Sequence, residues 1–175
     1  MPGVSAVKEG AVSQVAEKAS AREGKYLTFG LGSEEYGLEI LKVKEIIGVM
    51  NITPVPQTPK YVKGVINLRG KVIPVIDLRL KFSMEAVEYN DRTCIIVVDI
   101  AGKAGKKTVM GIVVDSVSEV LNIRGEEIED TPTFGVKLDT DYILGMAKIK
   151  GGVKILLDIN KVLTTDVIMA EAMMH

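Results

Sequence analysis

The stretch GVINLRGKVIPVIDLR, Gly64 to Arg79, reads as two apolar strands meeting at a tight corner. β-Branched side chains fill both arms, as a half-buried pleated surface favours. Gly70 supplies the positive φ that a short hairpin tip needs. Arg69 stands beside it, a single guanidinium at the corner of an otherwise apolar hairpin.

Working outward, the stretch recurs. YVKGVINLRGKVIPVIDLRLKF aligns without gaps on YILGMAKIKGGVKILLDINKVL, pairing Tyr61 with Tyr142, Gly64 with Gly145, Gly70 with Gly151 and Asp77 with Asp158, each 81 residues apart. YGLEILKVKEII aligns on MGIVVDSVSEVL at a spacing of 74, pairing Gly37 with Gly111, Val43 with Val117 and Glu45 with Glu119. One β unit is therefore used twice, with extra residues in the second copy within Arg124 to Asp141. Strand signals every ten residues or so, with few helices, point to small barrels rather than an open parallel sheet. The expected fold is mainly β: two five-stranded barrel lobes in pseudo-duplicate, short helices and a C-terminal helix.

The expected boundaries follow. Residues 1–25 form a flexible tail, briefly helical at Val12 to Ala21, and order begins at Tyr26. Residues 26–163 are expected to form two intertwined lobes, a first of about 37–82 and a second of about 94–163. An initial strand from Tyr26 to Leu31 is assigned to neither, and 164–175 form a tail or helix. In LKVKEIIG, Leu41, Val43, Ile46 and Ile47 fall near one side, which suits a helical turn closed by Gly48. Two lobes packed together are expected to leave a groove between them.

Composition excludes several function classes. The 22 basic and 23 acidic residues give a net charge of −1, too weak a field to gather nucleic acid, and aromatics are 5% with no tryptophan. No apolar run is long enough to span a bilayer, and the N-terminus lacks a secretion signal, so a cytoplasmic location is expected. The single cysteine, Cys94, lies within TCIIVVDI and reads as a small buried hydrophobe. The only histidine is the last residue, which removes Ser–His and Cys–His pairs and leaves no nitrogen–sulfur metal site. Asp77, Asp99, Asp115 and Asp158 end apolar runs, where aspartate caps local backbone more often than it catalyses. GKAGKKT, from Gly102, lacks the spacing of a phosphate loop and leads into a strand. No catalytic, cofactor or metal residue is expected.

YLTFGLGSEEYGLEILKVKEIIG, GVINLRGKVIPVIDLR, GIVVDSVSEVL and YILGMAKI together resemble the bacterial chemotaxis coupling protein family, CheW, over about Tyr26 to Leu163. The resemblance implies two SH3-like barrels and a scaffold without catalytic activity. Its implied partners are the regulatory domain of the histidine kinase CheA and the helical cytoplasmic tip of methyl-accepting chemoreceptors. Rings that include further copies of itself, and association with membrane-anchored receptor arrays, are also implied. The implied receptor contacts are Val43, Glu45, Gly64 and Arg69, with Val117 and Val120 in the second lobe; the kinase contacts stay unassigned. Alongside this, Glu45 is expected to reach Arg69 in a bidentate pair, with Val43, Ile46 and Val65 as an apolar strip and Gly64 allowing a helix to approach. The alternatives are a detached kinase regulatory domain, which shares the motif, and a barrel binding a small ligand or oligonucleotide.

Overall fold

Each half of the repeat folds in the same element order, and each lends its leading hairpin to the other half. The computed structural model describes residues 21–102, 105–131 and 140–173. The first unit runs β1 (Gly24–Leu31), β2 (Glu34–Glu39), a 3-10 turn (Ile40–Lys42), β3 (Val43–Gly48), β4 (Val62–Leu68), β5 (Lys71–Asp77) and helix α1 (Leu78–Lys81). The second runs β6 (Cys94–Ala101), β7 (Lys107–Val114), β8 (Ser116–Ile123), β9 (Ile128–Glu129), β10 (Ile143–Ile149), β11 (Gly152–Leu157) and helix α2 (Ile159–Met173).

The ladders cross between units. Barrel one has the order β3-β6-β7-β5-β4, and barrel two β8-β1-β2-β11-β10-β9. The crossing is symmetric to the residue. Gly37 faces Leu156 in the parallel β2–β11 pair, and their repeat counterparts Gly111 and Val75 face each other in the parallel β7–β5 pair. Both glycines are needed because the barrels are full. A Cβ on Gly37 would lie 2.8 Å from Leu156 Cδ2, and one on Gly111 2.8 Å from Ile95 Cγ2. The amides of Asp77 and Asp158 likewise donate to the carbonyls of Tyr61 and Tyr142 at 2.7 and 2.8 Å.

Each barrel closes through a strand that bends across both of its edges. In barrel one the chain beyond β3 returns as a bridge, Thr53 to Val65, with both backbone hydrogen bonds at 2.9 Å. In barrel two β9 does the same, with Glu129 facing Met146, the counterpart of Val65. The fifth strand is thus broken in two in both copies, which gives barrel two six strands by count.

Four expectations are corrected here. The lobes are not the contiguous spans 37–82 and 94–163, because strand pairing, not chain order, selects their members. The structured chain does not start at Tyr26: Ala21 and Arg22 are helical, Arg22 donates to Asp130 and to the Leu144 carbonyl, and β1 starts at Gly24; the rest of the expected tail helix lies outside the described residues. The segment from Val43 is a strand and not a helical turn. A bulge between Val43 and Glu45 shifts its register and gives the apolar spacing a helical look. Last, the seam between the barrels is filled. The largest buried cluster lies there, joining Leu27, Phe29 and Leu38 of barrel two to Ile96, Val98 and Ile112 of barrel one, with Val162 and Leu163 of α2 packed on them. Separate, smaller clusters fill the barrel interiors, around Ile95 and Val97 in one and around Tyr26 and Leu156 in the other. Any partner surface is therefore an outer face.

Candidate functional site

β4 and β5 remain paired up to Leu68 and Lys71, so Arg69 and Gly70 alone turn the chain. Both have positive φ, 53° and 84°, the combination of a type I′ hairpin turn. Gly70 takes that conformation freely, whereas an arginine there is uncommon. The Asn67 side-chain oxygen accepts from the Gly70 amide at 2.9 Å and braces the corner.

The turn aims Arg69 at Glu45. Nη1 donates to Oε1 at 2.5 Å and Nη2 to Oε2 at 2.8 Å, a fork-to-fork pair. Glu45 sits on β3 opposite Val97, whose side chain belongs to the interior of barrel one, so the carboxylate lies at that barrel's mouth. The pair joins the two strands at opposite ends of the sheet order. The Glu45 side chain is 23% exposed and the Arg69 side chain 74%. The hydrogen bond from Arg69 holds the Glu45 carboxyl below the usual carboxylate range, and the carboxylate raises Arg69 in turn.

Barrel two carries the same residue types without the pair. Glu119 and Lys150 stand at the corresponding positions, yet among the described residues no ion pair joins them. Lys150 does not take positive φ, only Gly151 does, so the turn points its side chain differently. Glu119 is instead fixed through its backbone, its amide and carbonyl meeting Thr28 Oγ1 at 3.1 and 2.8 Å.

The expected apolar residues divide by burial. Val43 and Val117 face Val98 and Phe29 and pack against the central core. Their neighbours Ile46 and Val120, counterparts 74 apart, are 42% and 49% exposed. These pairs lie on the outer strands of different sheets, so only Val43, Glu45 and Ile46 share a strand near Arg69. Val65 is half-buried beside the Thr53 bridge.

Gly64 is not an open approach for a partner helix. It is buried beneath the Thr53–Pro54 connector with φ 140°, and a Cβ there would overlap the Thr53 carbonyl. Its counterpart Gly145 lies under β9 in the same way, 2.9 Å from the Glu129 carbonyl by the same construction. The glycine serves barrel closure in both copies. Val72, on β5 opposite Asn67, is a further exposed apolar side chain near this corner, and its repeat counterpart Val153 is exposed as well.

Two of the strand-ending aspartates, Asp77 and Asp158, have local roles. Asp77 accepts from the Leu80 amide at 3.3 Å, capping α1, and from the Tyr89 hydroxyl at 2.7 Å. Asp158 accepts from the Lys161 amide at 3.3 Å. Among the described residues no group of His, Cys, Asp or Glu is placed to hold a metal, and no helix is long and apolar enough to cross a membrane.

Comparison with known proteins matches this architecture. A family model described as the CheW-like domain matches residues 25–167. The chemotaxis protein CheW of Klebsiella aerogenes is 43% identical over 155 residues, 89% of each chain. Protein FrzA of Myxococcus xanthus is 31% identical over 152 residues, covering 84% of this chain and 90% of that one. The solved scaffolding protein TtCheW from Thermoanaerobacter tengcongensis superposes with a TM-score of 0.71 at 36% identity, over 81% of this chain and 92% of its own.

Proposed function

This chain belongs to the CheW-like domain family of non-enzymatic chemotaxis scaffolds, and from that membership we propose that it couples chemoreceptors to the histidine kinase CheA. In this reading it works in the cytoplasm, at the receptors' membrane-distal helical tips. The Glu45–Arg69 corner and the exposed Ile46 receive the receptor helix. A second surface meets the kinase's regulatory domain, so that contacts alternate in rings to which further copies of this chain can add.

One observation carries the reading: among the described residues, the Glu45–Arg69 type of pair exists in barrel one and not at the corresponding positions of barrel two. Were it required to close a barrel, barrel two would need it, and barrel two closes without it. An arginine held in left-handed backbone for a bond the architecture does not need is a feature kept for a partner. The Arg69 guanidinium is 74% exposed at a barrel mouth, and Glu45 fixes its position beside the exposed Ile46, so that its outward N–H groups and that apolar side chain suit an amphipathic helix. Among the described residues no group of His, Cys, Asp or Glu is gathered as a reactive or metal-holding cluster, which fits a protein that works by being bound.

Co-sedimentation of the purified chain with receptor cytoplasmic fragments and kinase tests this. The chain should appear in the pellet with vesicle-anchored receptor fragments and should raise recovery of kinase with them. Failure to pellet with receptor fragments at any kinase concentration would overturn the assignment.

A further inference from the structure

The chain passes from one barrel to the other at two equivalent places; one is fastened by side-chain hydrogen bonds, the other only by Ile40, partly buried against the central core. At the β7–β8 crossing Asp115 accepts from Arg79 Nε and Nη2 at 2.7 and 2.9 Å and from the Gly32 amide at 2.8 Å, while its own amide donates to the Gly30 carbonyl at 3.0 Å. At the β2–β3 crossing the corresponding residue, 74 earlier, is Leu41, which is 90% exposed. That crossing is a three-residue 3-10 turn with no side-chain cap.

The hairpin before this loose crossing is already a guest. β1 and β2 pair with each other and otherwise only with β8 and β11, strands of the opposite repeat unit. Nothing in those ladders distinguishes a hairpin of the same chain from one supplied by a second copy. The β6–β7 hairpin is tethered at both ends to strands of the two barrels; among the described residues β1–β2 is tethered at one.

We propose that the β1–β2 hairpin exchanges between two copies of this chain through a hinge at Ile40–Lys42, giving a dimer in which each barrel two is completed by its partner. The exchanged dimer makes the same ladder bonds and the same core contacts as the monomer, so the two differ mainly at the hinge and by mass action. The hairpin contributes Leu27, Phe29 and Leu38 to the central core, so exchange needs barrel two to open. It occurs during refolding at high concentration and not on mixing native protein. The product carries two Glu45–Arg69 corners on one body.

A cysteine pair at Glu35 and Lys154, which face each other across β2 and β11, reports which chain fills the barrel. In a Cys94→Ala background, Glu35→Cys/Lys154→Cys is refolded reduced at low and at high concentration. The species are separated by size, oxidised, and denatured without reductant. The expected result is a concentration-dependent dimer whose disulfides join two chains, against monomers with internal disulfides from the dilute sample. A dimer whose chains separate on denaturation, or no dimer at high concentration, overturns the proposal. The unsubstituted chain provides a second readout: its dimer should dissociate slowly on dilution, and one that dissociates at once is a surface contact and overturns the proposal. Deleting Leu41 should raise the dimer share severalfold, and an unchanged share removes the hinge.

Discussion

Lys81 on α1 and Asp166 on α2 form an ion pair of 2.9 Å whose side chains are only 10% and 1% exposed, fastening the helix of one repeat unit to that of the other. Lys81 Nζ also lies 4.4 Å from the centroid of the Tyr61 ring. Burial pushes the lysine down, but the close contact with the Asp166 carboxylate outweighs it, and its pKa is raised.

Breaking this pair from one side leaves a buried charge alone, so Asp166→Asn should cost about 3–5 kcal/mol, whereas Lys81→Met combined with Asp166→Leu should be close to neutral. Urea unfolding of the two variants and the parent separates these outcomes. Because the lysine's pKa is raised on folding, its contribution is complete below the ordinary lysine range and is lost as pH climbs through the raised value.

Gly64→Ala should lose at least about 1–3 kcal/mol from backbone conformation, with the overlap on the Thr53 carbonyl added. Gly70→Ala, at positive φ with no atom within 4 Å of its Cβ, should lose about 1 kcal/mol. Receptor and kinase binding should fall together in Gly64→Ala, in step with its unfolding midpoint.

Asp115→Asn should lower stability at neutral pH by about 2 kcal/mol, since it removes charge-assisted bonds that a neutral amide does not replace. Burial raises the Asp115 carboxyl, yet the bonds from Arg79 and Gly32 win and hold it below its ordinary value. A lowered pKa means that the stabilisation is present above the ordinary carboxylate range and disappears as pH falls through the lowered value. Thermal melts across pH should therefore show the gap between parent and variant closing in acid.

The repeat was legible because glycines and aspartates at turns and closures kept their spacing: Gly37 with Gly111, Gly70 with Gly151, Asp77 with Asp158. The hairpin exchange was not, because no local pattern in β1 or β2 says which strand lies alongside. A hint did exist for the sealed seam: Ile95 to Val98 are all buried, and a strand without polar alternation has both faces covered. The Glu45–Arg69 pair followed from charge type and hairpin geometry even though Glu45 was assigned to a helical turn. The function of Gly64 depended on Thr53, brought over it only when the barrel closes.

Arg69→Ala and Arg69→Gly, titrated against receptor cytoplasmic fragments with melting temperatures taken on the same samples, test the central claim most directly. Both should melt essentially where the parent does, since the Arg69 side chain is mostly exposed and glycine suits the left-handed turn, while affinity for receptor falls about tenfold. Undiminished receptor binding in both, or a loss of binding matched by a loss of fold, would contradict the account.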